Sequence, residues 1–437
     1  LEVSETAIRN GTPVLTVKIG SSELAEAATL SHTGSLTGDD DAWEAAFRQT
    51  GIERVPDIPD LLARASAHTT YDDPDGDSVC IASTSGGLAS LLADMAAERG
   101  LTLPDISGET EQKLLDIEEL LAYGRFNNPA DIRGYGAHVL PEIADAVLND
   151  DVFDAYVFAI GLPGVDERAE TIAEALATIT TEADDPVYIL WTGRKEPDDP
   201  TEAPPYTRLR DSVPVYEDPG RCMDALASTT DFVTACNHLT DQPSRGRLVA
   251  DARKIDTDHD LPRGQVLTWA QSERLLNSYD IPVIESRLAT DIDEAATAAD
   301  DLGFPVVLKI DSPALPHRTD VGAVRLGVES IEAARDAYEE VMNSALTVVD
   351  PVDIEGVLIQ PMMNNDIESI IGIAPDEVFG SLVSVGPGGV LVEALGQSAT
   401  LVPPFSRTDA RAAIEETTLA SVLNDRRDGL RCLSTPS

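Results

Sequence analysis

The sequence predicts an α/β fold in which a doubly wound parallel sheet precedes an α+β region. Two observations carry this prediction. In the middle of the chain, short apolar runs alternate with helical stretches, as in parallel sheets whose strands are joined by helices. Nearer the end, several extended runs follow one another in a pattern richer in hairpins. We therefore divide the chain into residues 1–72, 76–240, a linker at 241–263, and 264–437.

The first block predicts a strand, a polar loop and a helix. Residues 13–19 alternate between apolar and polar side chains, as a half-buried strand does, and residues 31–38 form a polar loop. A helix is expected at 39–50, because acidic residues occupy its first turn and Gly51 follows as a stop signal.

The second block supplies the strands of the parallel sheet. An apolar strand at 78–83 leads through the tight turn Thr84-Ser85-Gly86-Gly87 into a helix at 88–99, which Gly100 ends. Further apolar strands are expected at 155–160 and 187–191, with a helix at 166–179 between them. The linker at 241–263 shows little apolar periodicity.

The third block predicts the α+β region. A helix is expected at 268–279. The expected strands lie at 281–284, 304–310, 321–328, 356–362, 367–373 and 380–385, with a helix between the first two.

The composition excludes two classes of protein. The 437 residues carry 31 basic and 78 acidic side chains, a formal charge of −47, so nucleic-acid phosphates would be repelled over most of the surface. No run approaches the roughly 18 apolar residues that a membrane span requires. Four cysteines without a CxxC pair indicate neither a zinc site nor a disulfide framework, and we expect a cytoplasmic protein.

The excess of acid with only five lysines is typical of a halophilic protein, which stays soluble in concentrated salt because screening removes its self-repulsion. An acidic protein from a low-salt cell is the alternative.

Two turns are candidate phosphate sites. Ser31-His32-Thr33-Gly34-Ser35 lies between a predicted strand and a predicted helix, where backbone N–H groups can gather around a phosphate. The alternative is an exposed loop histidine. Ser85-Gly86-Gly87 lets a ligand approach the backbone at a helix N-terminus, although an ordinary glycine-containing connection would have the same sequence.

The third block contributes a lysine, a histidine and a carboxylate. Lys309 ends an apolar strand and needs a counter-charge, which a nucleotide phosphate or a structural salt bridge would supply. His317 follows in a loop and is a candidate for the same phosphate or an ordinary surface residue. Glu393 follows a glycine-rich turn and could hold Mg²⁺ or be a solvated strand residue.

Together, these motifs resemble the ADP-forming acyl-CoA synthetases, also called ADP-forming acetate–CoA ligases, of the succinyl-CoA synthetase superfamily. Residues 13–47 are similar to the family's phosphohistidine region, and Asn128-Pro129-Ala130-Asp131 matches the Asn-Pro-x-Asp of its next domain. Residues 268–320 resemble the opening of its ATP-grasp domain, and residues 388–393 match a later ATP-grasp strand.

The resemblance implies flavodoxin-like domains, the first of them partial, followed by a truncated ATP-grasp domain. It also implies an acid–thiol ligase that interconverts acyl-CoA, ADP and phosphate with a carboxylic acid, CoA and ATP. His32 falls on the phosphorylated histidine, and His317 on the histidine that relays the phosphoryl group to the nucleotide. Phosphate contacts fall on Thr33, Gly34, Ser35, Ser85, Gly86 and Gly87, nucleotide contacts on Lys309, Gln360 and Met362, and the Mg²⁺ ligand on Glu393.

Departures from the family pattern keep a second interpretation open. Single-chain members carry a CoA-binding domain before this region, so we expect weak CoA binding here. Pro361 stands where the family commonly has Glu, and Gln397 where it has Asp. The alternative is a catalytically inactive fragment or a regulatory relative that binds nucleotide or acyl-CoA. The acyl group and the subunit arrangement, for which a homo-oligomer is one option, stay open.

Overall fold

The computed structural model describes residues 1–20, 40–120, 126–165, 167–193, 205–252, 261–262, 264–363, 367–389 and 398–424. The N-terminal region contains α1 (Glu2–Arg9), β1 (Leu15–Thr16), α2 (Asp40–Thr50), β2 (Glu53–Arg54) and α3 (Ile58–Thr70). β1 and β2 pair in parallel. The helix expected at 39–50 is confirmed, and Gly51 follows it with a φ of +70°, a conformation that glycine adopts without strain.

The next region forms the doubly wound sheet. Its elements are β3 (Val79–Ser83), α4 (Gly86–Glu98), α5 (Gly108–Leu115), β4 (Ala130–Asp131), α6 (Arg133–Gly136), α7 (Leu140–Val147), β5 (Ala155–Ile160), α8 (Glu167–Glu182), β6 (Val187–Trp191), α9 (Pro205–Arg210), β7 (Val215–Tyr216), α10 (Pro219–Thr240) and α11 (Arg245–Asp251). The five strands are all parallel, in the order β4-β3-β5-β6-β7. This confirms the predicted fold class, because that order is the flavodoxin-like arrangement.

Both faces of the parallel sheet are buried, because successive side chains of a strand point to opposite sides. Along β5, Tyr156, Phe158 and Ile160 join one apolar cluster, whereas Val157 and Ala159 join the other. Helices cover each cluster, and the central strands are therefore apolar at every position, as parallel sheets require.

The third region contains α12 (Trp269–Ser278), β8 (Arg287–Ala289), α13 (Ile292–Leu302), β9 (Val306–Asp311), β10 (Val324–Val328), α14 (Ile331–Ala345) and β11 (Gly356–Pro361). Its four strands form an antiparallel sheet in the order β10-β9-β11-β8. α13 and α14 contribute to an apolar cluster that also includes Leu308 and Ile310 of β9. This arrangement confirms the α+β pattern expected for the third block.

The last region contains β12 (Ser369–Asp376), β13 (Gly380–Pro387), β14 (Ala399–Leu401), α15 (Arg407–Glu415) and α16 (Thr418–Asn424). β12 and β13 form a hairpin, and β14 pairs antiparallel with β13. None of the described helices is long and apolar enough to cross a membrane.

The chain divides into two compact units. One comprises residues 1–250 together with the segment from Ser369 on, and the other comprises residues 251–368. Within the first unit, Gln49 of α2 exchanges two hydrogen bonds with the backbone of Val402: its amide donates at 3.2 Å and its carbonyl accepts at 2.7 Å. Arg245 donates to the carbonyl oxygens of Val402 and Pro403. The segment after β14 is therefore anchored on the N-terminal region.

Two expected elements differ from the structure. The strand expected at 281–284 is wrong: the strand of this segment is β8, where Arg287 lies opposite Ile359 of β11. Pro282 cannot donate to a ladder, and Ile281 is largely exposed, so the apolar residues of this run are not strand residues. The segment 241–263 contains α11, whose first residue, Arg245, is held by its contacts with Glu5 and Val402 rather than by apolar periodicity.

Candidate functional site

The Ser85 turn lies at the carboxyl edge of the parallel sheet, where sheets of this kind usually bind their ligands. β4 and β5 lie on opposite sides of β3, so the connections after β3 and β5 diverge there and leave a crevice, the usual ligand site of such sheets. The two connections are joined, because the N–H of Gly161 donates to the Thr84 hydroxyl at 2.8 Å. Ser85, Gly86 and Gly87 therefore lie at the start of α4 beside this crevice.

Asp131, to which the residue patterns alone assigned no chemical role, lies at the same turn. Its Oδ1 accepts from the N–H of Arg133 at 3.0 Å. Its Oδ2 lies only 2.6 Å from where a Cβ on Gly86 would be, so a side chain at position 86 would collide with this carboxylate. The N-terminal turn of α4 thus already has one negative group beside it, and an anion bound there would have Asp131 as its neighbour.

Asn128 explains the rest of the Asn-Pro-x-Asp motif. Its Oδ1 accepts from the N–H of Ile81 at 3.0 Å, and its Nδ2 donates to the carbonyl oxygens of Val79 at 2.7 Å and Pro104 at 3.0 Å. One side chain therefore replaces a neighbouring strand beside the N-terminal half of β3. The motif therefore stabilises β3, the strand that leads into the Ser85 turn.

We expect Asn128→Ala to lower the free energy of unfolding by roughly 2–4 kcal/mol, because three backbone groups lose their partner. Asn149→Ala is the matched control, since the Nδ2 of Asn149 makes a single exposed bond to the carbonyl of Asp145, in the turn that follows α7. Urea denaturation compares the two. Equal small losses would contradict the role assigned to Asn128.

The second candidate site lies in the unit of residues 251–368. Lys309 of β9 lies opposite Leu358 of β11, and Val307 lies opposite Gln360. Residues directly opposite each other, and those two apart on one strand, share a face of the sheet. Lys309 and Gln360 therefore share the face opposite the apolar cluster that contains Leu308.

Lys309 has no ion pair within the part of the chain that the structure describes. Its ammonium lies 5.3 Å from the ring centroid of Trp269, a cation–π contact. Burial lowers the pKa of Lys309, and the positive charge of Arg318 lowers it further, whereas Asp311 opposes the shift. The structural salt bridge considered as an alternative is thus absent from the described residues.

Trp269, Asp311 and Arg318 complete this cluster. The buried carboxylate of Asp311 accepts from the N–H of Trp269 at 3.0 Å and lies 3.5 Å from the guanidinium of Arg318. Asp311 pairs with Arg318, whereas Lys309 has no ion pair among the described residues, so the cluster keeps an excess positive charge suited to an anion. The residue patterns did not identify Trp269 or Arg318, because only the fold brings α12 and the loop after β9 to Lys309.

The amide of Gln360 is available for a ligand. Gln360 is 6% exposed, and its Nε2 has no hydrogen-bond partner among the described residues. A buried donor without a partner is costly, so such a group is a good candidate for contact with a bound molecule. Met362 follows, and its N–H donates to the carbonyl of Pro305 at 2.9 Å. Pro361 has no N–H, so neither residue offers a free backbone donor.

His317 is exposed in the loop between β9 and β10. The loop is held at both ends. Ser312 donates to the carbonyl of Asp353 at 2.6 Å, and the N–H of Ala323 donates to the carbonyl of Arg318 at 2.9 Å. His317 therefore lies next to Arg318, in a position accessible to a ligand.

The remaining predicted residues lie outside the described part of the chain: His32, Thr33, Gly34, Ser35 and Glu393. The described neighbours of these segments are α2 after the first and β14 after the second. Among the described residues, no three His, Cys, Asp or Glu side chains are grouped closely enough to hold a metal ion.

The fold is that of an α/β protein in which a doubly wound parallel sheet is followed by an α+β region with an antiparallel sheet. The family models agree: residues 262–432 match the "ATP-grasp domain", and residues 1–68 match the "Succinyl-CoA ligase like flavodoxin domain". The chain belongs to the ADP-forming acyl-CoA synthetases, the acetate–CoA ligases (ADP-forming) of the succinyl-CoA synthetase superfamily.

Three curated relatives show the extent of the similarity. The acetate–CoA ligase (ADP-forming) I of Archaeoglobus fulgidus is 28% identical over 95% of this chain and 58% of its own length. The 4-hydroxybutyrate–CoA ligase (ADP-forming) of Nitrosopumilus maritimus is 27% identical over 91% and 56%. The beta subunit of the acetate–CoA ligase (ADP-forming) I of Pyrococcus furiosus is 34% identical over 38% and 72%. The chain thus spans somewhat under three fifths of the first two relatives.

A solved structure is also similar. It is the dinucleotide-forming acetyl-coenzyme A synthetase 1 of Ca. Korarchaeum cryptofilum in complex with coenzyme A and Ca-AMPCP. It is 37% identical over 38% of this chain and 71% of its own, with a TM-score of 0.35.

Proposed function

We propose that this chain carries the phosphoryl-transfer part of an ADP-forming acyl-CoA synthetase, which interconverts acyl-CoA, ADP and phosphate with a carboxylic acid, ATP and CoA. The observation that carries the proposal is Lys309, a partly buried ammonium without a counter-ion among the described residues, on the same sheet face as the unsatisfied amide of Gln360. Nucleotide phosphates would supply the missing negative charge, as they do at lysines of other phosphoryl-transfer sites.

The reaction proceeds through a phosphohistidine. Phosphate attacks the thioester and releases CoA, and a nitrogen of His32 then takes the phosphoryl group from the acyl phosphate and releases the carboxylate. His317 receives the group from His32 and passes it to the terminal oxygen of ADP. An imidazole suits both steps because it is nucleophilic near neutral pH and its N–P bond transfers readily.

Four groups of residues have assigned roles in this proposal. Thr33, Gly34 and Ser35 with Ser85, Gly86 and Gly87 would bind the phosphoryl group at His32. Lys309, assisted by Arg318, would bind the nucleotide phosphates, and Gln360 and Met362 would contact the base. Mg²⁺, when bound, neutralises nucleotide phosphate charge, and Glu393 would be its protein ligand. The described residues include no alternative carboxylate cluster for it.

The domain organisation and setting are part of the same proposal. Residues 1–72 would carry the phosphohistidine loop, residues 76–240 would form the second flavodoxin-like domain, and residues 264–437 would form the ATP-grasp region. The protein would act in the cytoplasm of a cell with a high salt concentration. Binding of CoA and the acid would also need a region that the longer relatives contain and that the present 437 residues do not cover.

The second candidate function is nucleotide binding without turnover. One observation favours it: Pro361 and Met362 offer no free backbone N–H at the end of β11, the strand assigned to the base. Such a relative would bind ADP but would not transfer a phosphoryl group.

Incubation with γ-labelled ATP and magnesium distinguishes the two functions, because the first half-reaction needs no CoA. We expect label that is stable in base and lost in acid, as for a phosphohistidine, and that unlabelled ADP removes as ATP. If the protein binds nucleotide but carries no label, its function is the second one, nucleotide binding without turnover.

A further inference from the structure

A cavity of about 530 Å³ lies in the first unit, between α2, β2, α3, α10 and α15. Of the residues proposed for phosphoryl transfer, those that the structure describes do not line it. Val14, Phe47, Phe232 and Ala235 form apolar parts of its wall. The two phenylalanines are almost fully buried. This volume is typical of a site for a small organic molecule. We call it the His68 cavity, after the histidine that lines it.

A chain of three polar groups lies at one side of the His68 cavity. Ser228 donates its hydroxyl proton to the carboxylate of Glu53, and His68 Nε2 lies 2.9 Å from the same hydroxyl oxygen. Because Ser228 has only one proton and gives it to Glu53, the bond with His68 requires a proton on Nε2. Burial lowers the pKa of His68, so the ring is neutral near pH 7 and its Nδ1 is an acceptor. No described residue donates to Nδ1.

Negative charge on the cavity wall is only partly balanced. Three wall residues form ion pairs within or beside the wall with unlike charges: Glu44 with Arg54, Arg48 with Glu416, and Glu53 with Arg64. Asp409 lies 3.4 Å from His238, a contact that is an ion pair only when the histidine is protonated. Among the described residues, Asp231 forms no ion pair, and its carboxylate accepts no hydrogen bond. Asp231 is exposed to solvent at the cavity wall. Partial burial raises the pKa of Asp231 and the nearby negative charge of Glu53 raises it further, whereas the positive charge of Arg64 lowers it. The cavity therefore offers acceptors and negative charge without matching donors.

We propose that the His68 cavity binds a small organic cation, a primary ammonium on an apolar body. The ammonium donates to the Asp231 carboxylate and to His68 Nδ1, and the apolar body occupies the space beside Phe47 and Phe232. The rings of His68 and Phe232 stand edge to face, with centroids 5.4 Å apart, and give the cation an aromatic neighbour. A carboxylate of the same shape is repelled by Asp231 and Glu53.

Isothermal titration calorimetry with three probes of one shape tests this ligand class: phenethylammonium, 3-phenylpropionate and 2-phenylethanol. The buffer contains about 0.5 M KCl to screen non-specific attraction of cations to the acidic surface. We expect saturable binding of phenethylammonium, no binding of the carboxylate, and about tenfold weaker binding of the alcohol, which lacks the charge.

Three variants locate the site. Asp231→Asn should weaken phenethylammonium binding about tenfold, because it removes the unpaired charge. Asp336→Asn, which removes an exposed carboxylate of α14, is the matched control and should bind as the natural chain does. Ala412→Leu narrows the cavity from α15 and should weaken binding while every carboxylate remains.

Each contrary outcome overturns the proposal. Equal binding of 3-phenylpropionate would show an apolar pocket without charge selection. Unchanged binding by both Asp231→Asn and Ala412→Leu would place the cation elsewhere on the surface. Circular dichroism melts of the variants show whether a loss of binding comes from unfolding. This proposal does not depend on phosphoryl transfer, so labelling by ATP and amine binding can fail independently.

Discussion

Replacing Lys309 with Met is expected to weaken MgADP binding about 100-fold, because a desolvated ammonium facing phosphate contributes several kcal/mol to such a complex. The Met side chain keeps the length of the stem and its contact with Trp269. Calorimetric titration of MgADP measures the change. Lys113→Met is the matched control, since Lys113 is an exposed lysine paired with Glu109 on α5, and it should leave the affinity unchanged.

The same substitution should not destabilise the free protein. Burial lowers the pKa of Lys309 below its ordinary value of 10.5, so the folded state favours the neutral amine. The charged amine of Lys309 therefore lowers the free energy of unfolding. This loss is complete below the folded-state pKa, and it disappears as pH rises from there towards 10.5. Lys309→Met should therefore melt at or above the temperature of the natural chain at neutral pH, with a smaller difference at alkaline pH. Undiminished ADP affinity together with lower stability would make Lys309 a structural residue.

His317→Ala is expected to prevent transfer of label from ATP to His32, because in the proposed relay every phosphoryl group passes through His317. His32→Ala should have a different effect and leave label on His317 alone. His138→Ala replaces another exposed loop histidine and is the control, for which we expect normal labelling. Phosphorylation of His32 at the normal rate in His317→Ala would show that ATP reaches His32 directly, and the relay would then be wrong.

The helices and strands could be predicted where the local sequence pattern and the burial of the segment favour the same structure. β5 and β6 occur at the predicted residues, because runs that are apolar at every position suit a strand buried on both faces. α10 was not predicted, although it is 22 residues long. Its many Ser and Thr residues weaken the helical pattern, and it depends on packing against α3 and the sheet. α11 is likewise held by the distant partners of Arg245.

The candidate site was predicted only in part, for a comparable reason. Lys309 and Ser85-Gly86-Gly87 can be identified as candidates from the sequence, since a lysine in an apolar strand and two glycines before a helix are unusual. Asp131 became a candidate only through its contact with Gly86, and Trp269 only through its contact with Lys309. Such pairings join residues far apart in the chain, and no local pattern encodes them. The roles of His32 and Glu393, which lie outside the described residues, stay predictions.

Peptide mapping after labelling shows whether His32 carries the phosphoryl group. Trypsin cleaves after Lys18 and Arg48, so residues 19–48 form one peptide whose only histidine is His32. Cleavage after Lys309 and Arg318 places His317 alone in the peptide 310–318. After incubation with MgATP and digestion at alkaline pH, mass spectrometry should find the phosphoryl group on His32 in the first peptide. Absence of the phosphoryl group from that peptide, in a protein that binds MgATP and carries label elsewhere or nowhere, would show that His32 is not the phosphorylated residue.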